Sequence, residues 1–177
     1  MKLNARELRD LEESEKIPDI KRRPIYFILD NIYDTYNVGG LFRLADALAI
    51  EKMYLCGDTE TPPNARIKKA SIGTYKIVPW EYKSSATEAI KELRDLNPTT
   101  IIAIEQSTNA VSYTECNYKL PLAFIVGNET TGISKEALEA SDAIVEIPMF
   151  GINKSLNVIV SAAIVRYFAS NKILVEK

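Results

Sequence analysis

Ile147-Pro148-Met149-Phe150-Gly151-Ile152-Asn153-Lys154-Ser155-Leu156-Asn157-Val158 carries a short apolar segment into a loop and then into a helical pattern. Pro148 removes a backbone donor and fixes φ, so a strand ending at Ile147 cannot continue its ladder and must leave the sheet there. Gly151 opens the loop. Ser155 and Asn157, two small polar side chains, stand where a helix should begin, with Ser155 close to its N-cap. Beyond them Val158, Ala162, Val165 and Phe168, with Leu156 and Ile159, recur at helical intervals and predict an apolar face to about Ala169. This is the composition of a binding loop. An ordinary loop ahead of a capped helix uses the same residue types, and the segment alone leaves both readings open.

Upstream, strands and helices alternate. Ile25 to Leu29 is a continuous apolar run rich in β-branched and aromatic residues, as expected of a strand buried on both faces of a parallel sheet. A polar loop from Asn31 to Tyr36 leads into Asn37 to Ala49, where Val38, Leu41, Ala45 and Leu48 share one helical face and Gly39, Arg43 and Asp46 another. Lys52 to Cys56 reads as strand, Asn64 to Ala70 as a short basic helix, and Tyr75 to Val78 as strand. Ala86 to Leu96 is an amphipathic helix with Ala86, Ala89, Ile90, Leu93 and Leu96 inward. Thr100 to Glu105 and Leu122 to Val126 are further buried strands, Ser134 caps a helix to about Ala140, and Ala143 to Ile147 is the last strand. Before all of these, Asn4 and Glu7 have capping-box spacing and predict a charged helix from Ala5 to about Ser14. The alternation argues for a mostly parallel α/β sheet flanked by helices. We divide the chain into an N-terminal helical arm, residues 1–23, and one domain, residues 24–177.

Composition excludes several kinds of chemistry. The 177 residues contain no histidine, which removes Ser-His-Asp and Cys-His schemes and imidazole-ligated metals together. Cys56 and Cys116 are isolated and have no zinc-ligand spacing, so free thiols and no metal are expected. No apolar run approaches the ~20 residues that span a bilayer, and the N-terminus lacks an apolar signal core, which predicts a cytoplasmic protein without membrane attachment. The net charge is -2, so any nucleic-acid contact must use local basic patches such as Lys21 to Arg23 and Arg66 to Lys69.

Three loops follow strands and carry glycine beside polar groups: Asn37 to Arg43, Gly127 to Gly132, and Ile147 to Asn157. Neither GxGxxG nor GxxxxGK[ST] is present, which argues against a dinucleotide fingerprint or a P-loop. Taken singly, Glu129 reads as a surface turn carboxylate and Arg43 as a helix cation paired with Asp46 three residues on. In order, however, Asn37-Val38-Gly39-Gly40-Leu41-Phe42-Arg43, Gly127 to Ile133 and Ile147 to Val158 resemble the three motifs of the SpoU/TrmH-type RNA 2′-O-ribose methyltransferases of the SPOUT superfamily. The resemblance runs from about Pro24 to the C-terminus. The proline usual before the motif asparagine is replaced here by Asp34-Thr35-Tyr36.

The resemblance implies a C-terminal trefoil knot, which pattern reading would not suggest because true knots are rare. It implies S-adenosylmethionine held against Ile104, Glu105 and Gln106, Val126, Gly127 and Asn128, Ile147, Pro148 and Met149, and Ser155 with Leu156. It assigns the reaction at the ribose 2′-hydroxyl to Arg43, as base or as electrostatic clamp, with Asn37, Glu129, Ser155 and Asn157 organising the site. Glu129 is a partner either for Arg43 or for the cofactor end. No metal is implied. The implied partners are RNA, tRNA ahead of rRNA, and a second copy of the chain, since Ile159, Ala163 and Ile164 give the last helix more apolar surface than one face needs. The alternatives are an rRNA methyltransferase or a knotted RNA-binding assembly factor without catalysis.

Overall fold

A computed structural model describes residues 2–11 and 20–175. Seven strands form one sheet: β1 (Arg23–Asp30), β2 (Ile50–Cys56), β3 (Trp80–Lys83), β4 (Thr100–Ile104), β5 (Val111–Ser112), β6 (Leu122–Gly127) and β7 (Ala143–Glu146), in the order β3-β2-β1-β6-β4-β7-β5. Every pairing between these strands is parallel. The helices are α1 (Ala5–Asp10), α2 (Thr35–Ala47), α3 (Ala65–Ser71), α4 (Ala86–Leu96), α5 (Lys135–Glu139) and α6 (Val158–Val175).

Strand residues alternate between two cores, because successive side chains point to opposite faces. Phe27, Leu29, Met53, Leu55, Phe124 and Val126 pack with α2, α3 and α6, whereas Ile28, Tyr54, Ile101, Ala103 and Ile125 pack with α4 and α5. Both faces of the sheet are therefore covered, as its continuous apolar strands require. On the first face α2 is wedged between α3 and α6, and its two glycines permit this. A Cβ on Gly39 would lie 2.5 Å from Ala70 Cβ, and one on Gly40 2.2 Å from Ile159 Cδ1.

The N-terminal arm lies against the region after α3. Asn4 and Glu7 close a capping box on α1, Lys76 Nζ donates to the carbonyl oxygens of Arg9 and Leu11, and Gly73 fits beneath Leu8. Helix α1 ends at Asp10; the expected continuation to Ser14 falls partly outside the described residues.

Three expectations need correction. Tyr75 to Val78 is not a strand: Gly73 turns the chain at φ 90, residues 74–76 form a 3-10 turn, and the amides of Ile77 and Val78 both donate to Thr74 O. Ile77 and Val78 are buried as a plug, and pairing resumes only after Pro79, whose carbonyl accepts from Met53 N. A short apolar run does not distinguish these cases by period. Leu96 is 66% exposed, because α4 ends there and its inward face stops at Leu93. The last helix runs past Ala169 to Val175, and its cap is Asn157, whose Oδ1 accepts from Ile159 N at 2.9 Å, not Ser155.

Candidate active site

In an open parallel sheet, the loops at the carboxyl ends of the strands form the natural crevice. Here the loops after β4, β6 and β7, which are neighbours in the sheet, enclose a cleft of about 310 Å³. That volume falls at the lower end of the range for small-molecule sites. Ile104, Ile147, Met149 and Leu156 supply its apolar wall, and Gly127, Asn128, Glu129, Gln106 and Ser155 its polar one.

Each wall is held by specific bonds. Glu105 Oε2 accepts from Ile133 N at 3.0 Å and its Oε1 from Gln106 N at 2.9 Å, so this carboxylate is a strut between the β4 and β6 loops. Asn128 is buried; its Oδ1 accepts from the amides of Thr130 and Thr131, and its Nδ2 donates to Asn31 O at 2.9 Å. Buried Asp30, at the end of β1, accepts from Ser134 N at 2.8 Å. A Cβ on Gly127 would lie 2.4 Å from the backbone of Gly132 and Ile133, so the turn closes only over glycine. The β7 loop is different. Between residues 147 and 156 no backbone to backbone hydrogen bond forms among the described residues; Lys154 O is taken by Gln106 Nε2. Of this loop, Ile147, Met149, Lys154, Ser155 and Leu156 line the cleft, and Ser155 N donates to Asn153 Oδ1 at 3.3 Å.

Beside the cleft, Asn157 Nδ2 donates to Asn37 Oδ1 at 3.0 Å, and Asn37 Nδ2 donates to Glu129 Oε1. One chain of hydrogen bonds therefore links all three polar loops. Asn37 lies buried in the first turn of α2, capped by Asp34, whose Oδ1 accepts from Tyr36 N at 2.8 Å. Asp34 caps the helix so that it starts at Thr35, two residues earlier than expected.

Not every expected residue meets in one place. Val126 is buried in β6 and Pro148 is exposed; neither lines the cleft. Ser155 lines it without capping the helix. Arg43 is exposed on α2 and makes no hydrogen bond or ion pair among the described residues. It is not paired with Asp46. Burial holds the Asp46 pKa above its ordinary value, against the smaller opposing pull of the nearby cation Arg22. Of the basic triplet, Arg22 is committed to the fold, donating to Ile50 O and Ile77 O, while Lys21 and Arg23 remain exposed. The strut role of Glu105 and the anchoring role of Asp30 were not legible in the chain, because their partners are 28 and 104 residues away. Among the described residues no cluster of acidic residues and cysteines has the form of a metal site, and no helix is long and apolar enough to cross a membrane.

A parallel α/β sheet with helices on both faces, carrying a strand-end cleft beside a polar relay, defines a doubly wound α/β domain. A sequence model of the SpoU rRNA Methylase family matches residues 24–167, and the chain belongs to that family. It is 32% identical over 149 residues to the 23S rRNA (guanosine-2′-O-)-methyltransferase RlmB of Neisseria meningitidis, covering 84% of this chain and 59% of that protein. It is 29% identical over 156 residues to the tRNA (guanosine(18)-2′-O)-methyltransferase of Escherichia coli, covering 86% of this chain and 66% of that one. An AdoMet-bound rRNA methyltransferase from Sinorhizobium meliloti matches with a TM-score of 0.77 at 26% identity, over 94% of this chain and 60% of the other. The chain thus spans less than two thirds of each of these relatives.

Proposed function

We propose that residues 24–177 form a methyltransferase domain that moves a methyl group from S-adenosylmethionine to a ribose 2′-hydroxyl of RNA, with tRNA preferred over rRNA, in the cytoplasm. The observation that carries this reading is the relay Asn157 to Asn37 to Glu129, which joins the family's three motif loops at the rim of the cleft. The cleft suits the cofactor. Ile147, Met149 and Leu156 can offer main-chain donors and acceptors to an adenine edge, and together with Ile104 they supply the apolar walls. When bound, S-adenosylmethionine supplies a methyl group on a sulfonium sulfur. The chain must align the 2′-oxygen in line with that group, so that the C–O bond forms as the C–S bond breaks, and leave the hydroxyl proton a way out to water or to the RNA phosphate. Arg43, exposed and without a hydrogen bond or ion pair among the described residues, can grip an RNA phosphate and stabilise the developing alkoxide. An arginine keeps its proton in proteins, which favours the clamp over the base. Glu129, held by Asn37, orients the reacting groups.

We further infer a trefoil knot in which α6 passes beneath a neighbouring loop, and a homodimer. Val160, Ala163, Ile164 and Tyr167 recur on one side of α6, with Val160 and Tyr167 about half exposed, and Phe150 and Ile152 of the preceding loop stand wholly in solvent. A second copy would cover this surface. Exposed Lys21, Arg23, Lys68 and Lys69 supply phosphate contacts, so RNA affinity should fall steeply with salt despite the net charge of -2. The rRNA alternative is favoured by the 32% identity to the Neisseria enzyme.

Calorimetry with S-adenosylmethionine tests the first step, since a non-catalytic assembly factor without a cofactor site shows no heat. Mass-spectrometric mapping of ribose methylation in cells with and without the protein then identifies the RNA; an unchanged methylation map rejects the enzymatic reading.

A further inference from the structure

A second hollow, of about 450 Å³, lies at the same carboxyl edge of the sheet, between the loops after β1 and β2. In the strand order β1 comes directly beside β6 and β2 next beyond it, so the hollow lies on the side of the relay away from the cofactor cleft. Its walls are fixed to one another. Ile32 N donates to Thr59 Oγ1 at 2.9 Å, and Asp58 N donates to Asn31 Oδ1 at 3.0 Å, which stitches the two loops together.

The hollow contains committed and uncommitted groups. Asp34 and Asn64 line it, but each is used to cap its own helix. The Tyr33 ring, the Arg66 guanidinium and the Glu60 carboxylate also line it, all exposed and none with a hydrogen bond or ion pair among the described residues. Arg66 and Glu60 share the hollow without pairing. Tyr33 is 55% exposed, and four residues on lies Asn37, the centre of the relay. An aromatic face, a planar cation and an unspent acceptor around one cavity are the elements that recognise a nucleotide. The ring stacks on the base, the guanidinium forks onto a phosphate, and the carboxylate accepts from an N–H group on the base edge.

We propose that this hollow seats a nucleotide of the RNA strand next to the one methylated. The inference rests on the RNA-methylation reading above and adds where the strand runs: from the cofactor cleft, past Asn37, to the loops after β1 and β2. Tyr33 and Arg66 are binding residues for the flanking nucleotide and take no part in methyl transfer.

The test titrates the full chain with fluorescently labelled total tRNA and fragmented ribosomal RNA, and separately with S-adenosylmethionine by calorimetry. Tyr33→Ala and Arg66→Ala should each weaken RNA binding about 10-fold, as loss of one stacked base or one phosphate grip requires. Tyr33→Phe keeps the ring and should stay within about twofold of wild type. All three should bind S-adenosylmethionine as wild type does. Ultraviolet cross-linking should attach a nucleotide to the peptide bearing Tyr33. RNA affinity unchanged in Tyr33→Ala, or adducts confined to other peptides, overturns the proposal while leaving the enzymatic reading intact. A wild-type chain that binds neither RNA overturns both.

Discussion

Asn157 Nδ2 donates to Asn37 Oδ1 at 3.0 Å across 120 residues of chain, joining the start of α6 to the first turn of α2. The same Asn37 passes the polarity on, donating through Nδ2 to Glu129. Both hydrogen-bonding ends of one buried amide are thus spent on two other loops, and its orientation is set by them.

Asn37→Asp keeps the size of the side chain and its acceptor toward Asn157, yet turns the donor facing Glu129 into a second carboxylate oxygen. Stability should fall by about 1–3 kcal/mol, the usual cost of a buried polar group left with the wrong partner. Methylation should slow more than S-adenosylmethionine binding weakens, since the cleft walls are held by other bonds. Urea melts, calorimetry and single-turnover assays on one preparation check all three; a variant with wild-type turnover would remove the relay from the mechanism.

Arg43 is exposed and makes no hydrogen bond or ion pair among the described residues, so Arg43→Ala should shift stability by no more than about 0.5 kcal/mol and leave cofactor binding unchanged. Turnover should nevertheless drop on the order of 100- to 1000-fold, the cost of one charge-stabilising donor. Arg43→Lys keeps the cation but lacks the planar fork and should remain severely impaired. Near-normal rates in both variants would leave Arg43 a surface cation.

Two glycines near the cleft should respond oppositely to the same methyl group. A Cβ on Gly127 would stand 2.4 Å from the backbone of Gly132 and Ile133, atoms that cannot swing aside, whereas Gly151 has nothing within 4 Å. Gly127→Ala should cost about 1–3 kcal/mol and weaken S-adenosylmethionine at least ~10-fold by deforming the cleft wall. Gly151→Ala should change neither quantity. Equal effects would mean that the β6 turn is more pliable than its packing suggests.

Arg166 is fully buried on α6, and its Nε and Nη2 have no hydrogen-bond partner among the described residues. Burial, reinforced by the nearby cation Arg23, pushes its pKa down to about 10. A base whose folded value lies below its ordinary one destabilises the fold while it is charged. That penalty is therefore present in full below about pH 10 and eases only as pH rises beyond it. Arg166→Met should accordingly stabilise the protein by about 1–3 kcal/mol, and by the same amount at mildly acidic and mildly alkaline pH. Ser170 is not orphaned by the change, because its hydroxyl also donates to Arg166 O. Thermal melts of both proteins across that range decide it, and a destabilised variant would show that Arg166 has a counter-charge in the assembled protein.

Much of the architecture was legible in order along the chain. The runs Ile25 to Leu29, Thr100 to Ile104 and Leu122 to Val126 declared buried parallel strands, and Val38, Leu41 and Ala45 or Ala86, Ala89, Ile90 and Leu93 declared the covered helix faces. Burial period is a local property, repeated every two or three to four residues, so neighbours in sequence suffice to read it. The three polar loops were legible for the same reason, as glycine and small polar residues interrupting those periods. Tertiary structure decided what local pattern cannot contain. It placed β6 between β1 and β4, which brings Gly127 beside Asp30 and closes the relay of Asn157, Asn37 and Glu129. It gave the cap of α6 to Asn157 and left Ser155 in the cleft, made Tyr75 to Val78 a plug, and spent Arg22 on two backbone carbonyls while leaving Arg43 free. Each of these depends on which distant groups must satisfy one another's hydrogen bonds once water is excluded, and that is settled only when the sheet has assembled.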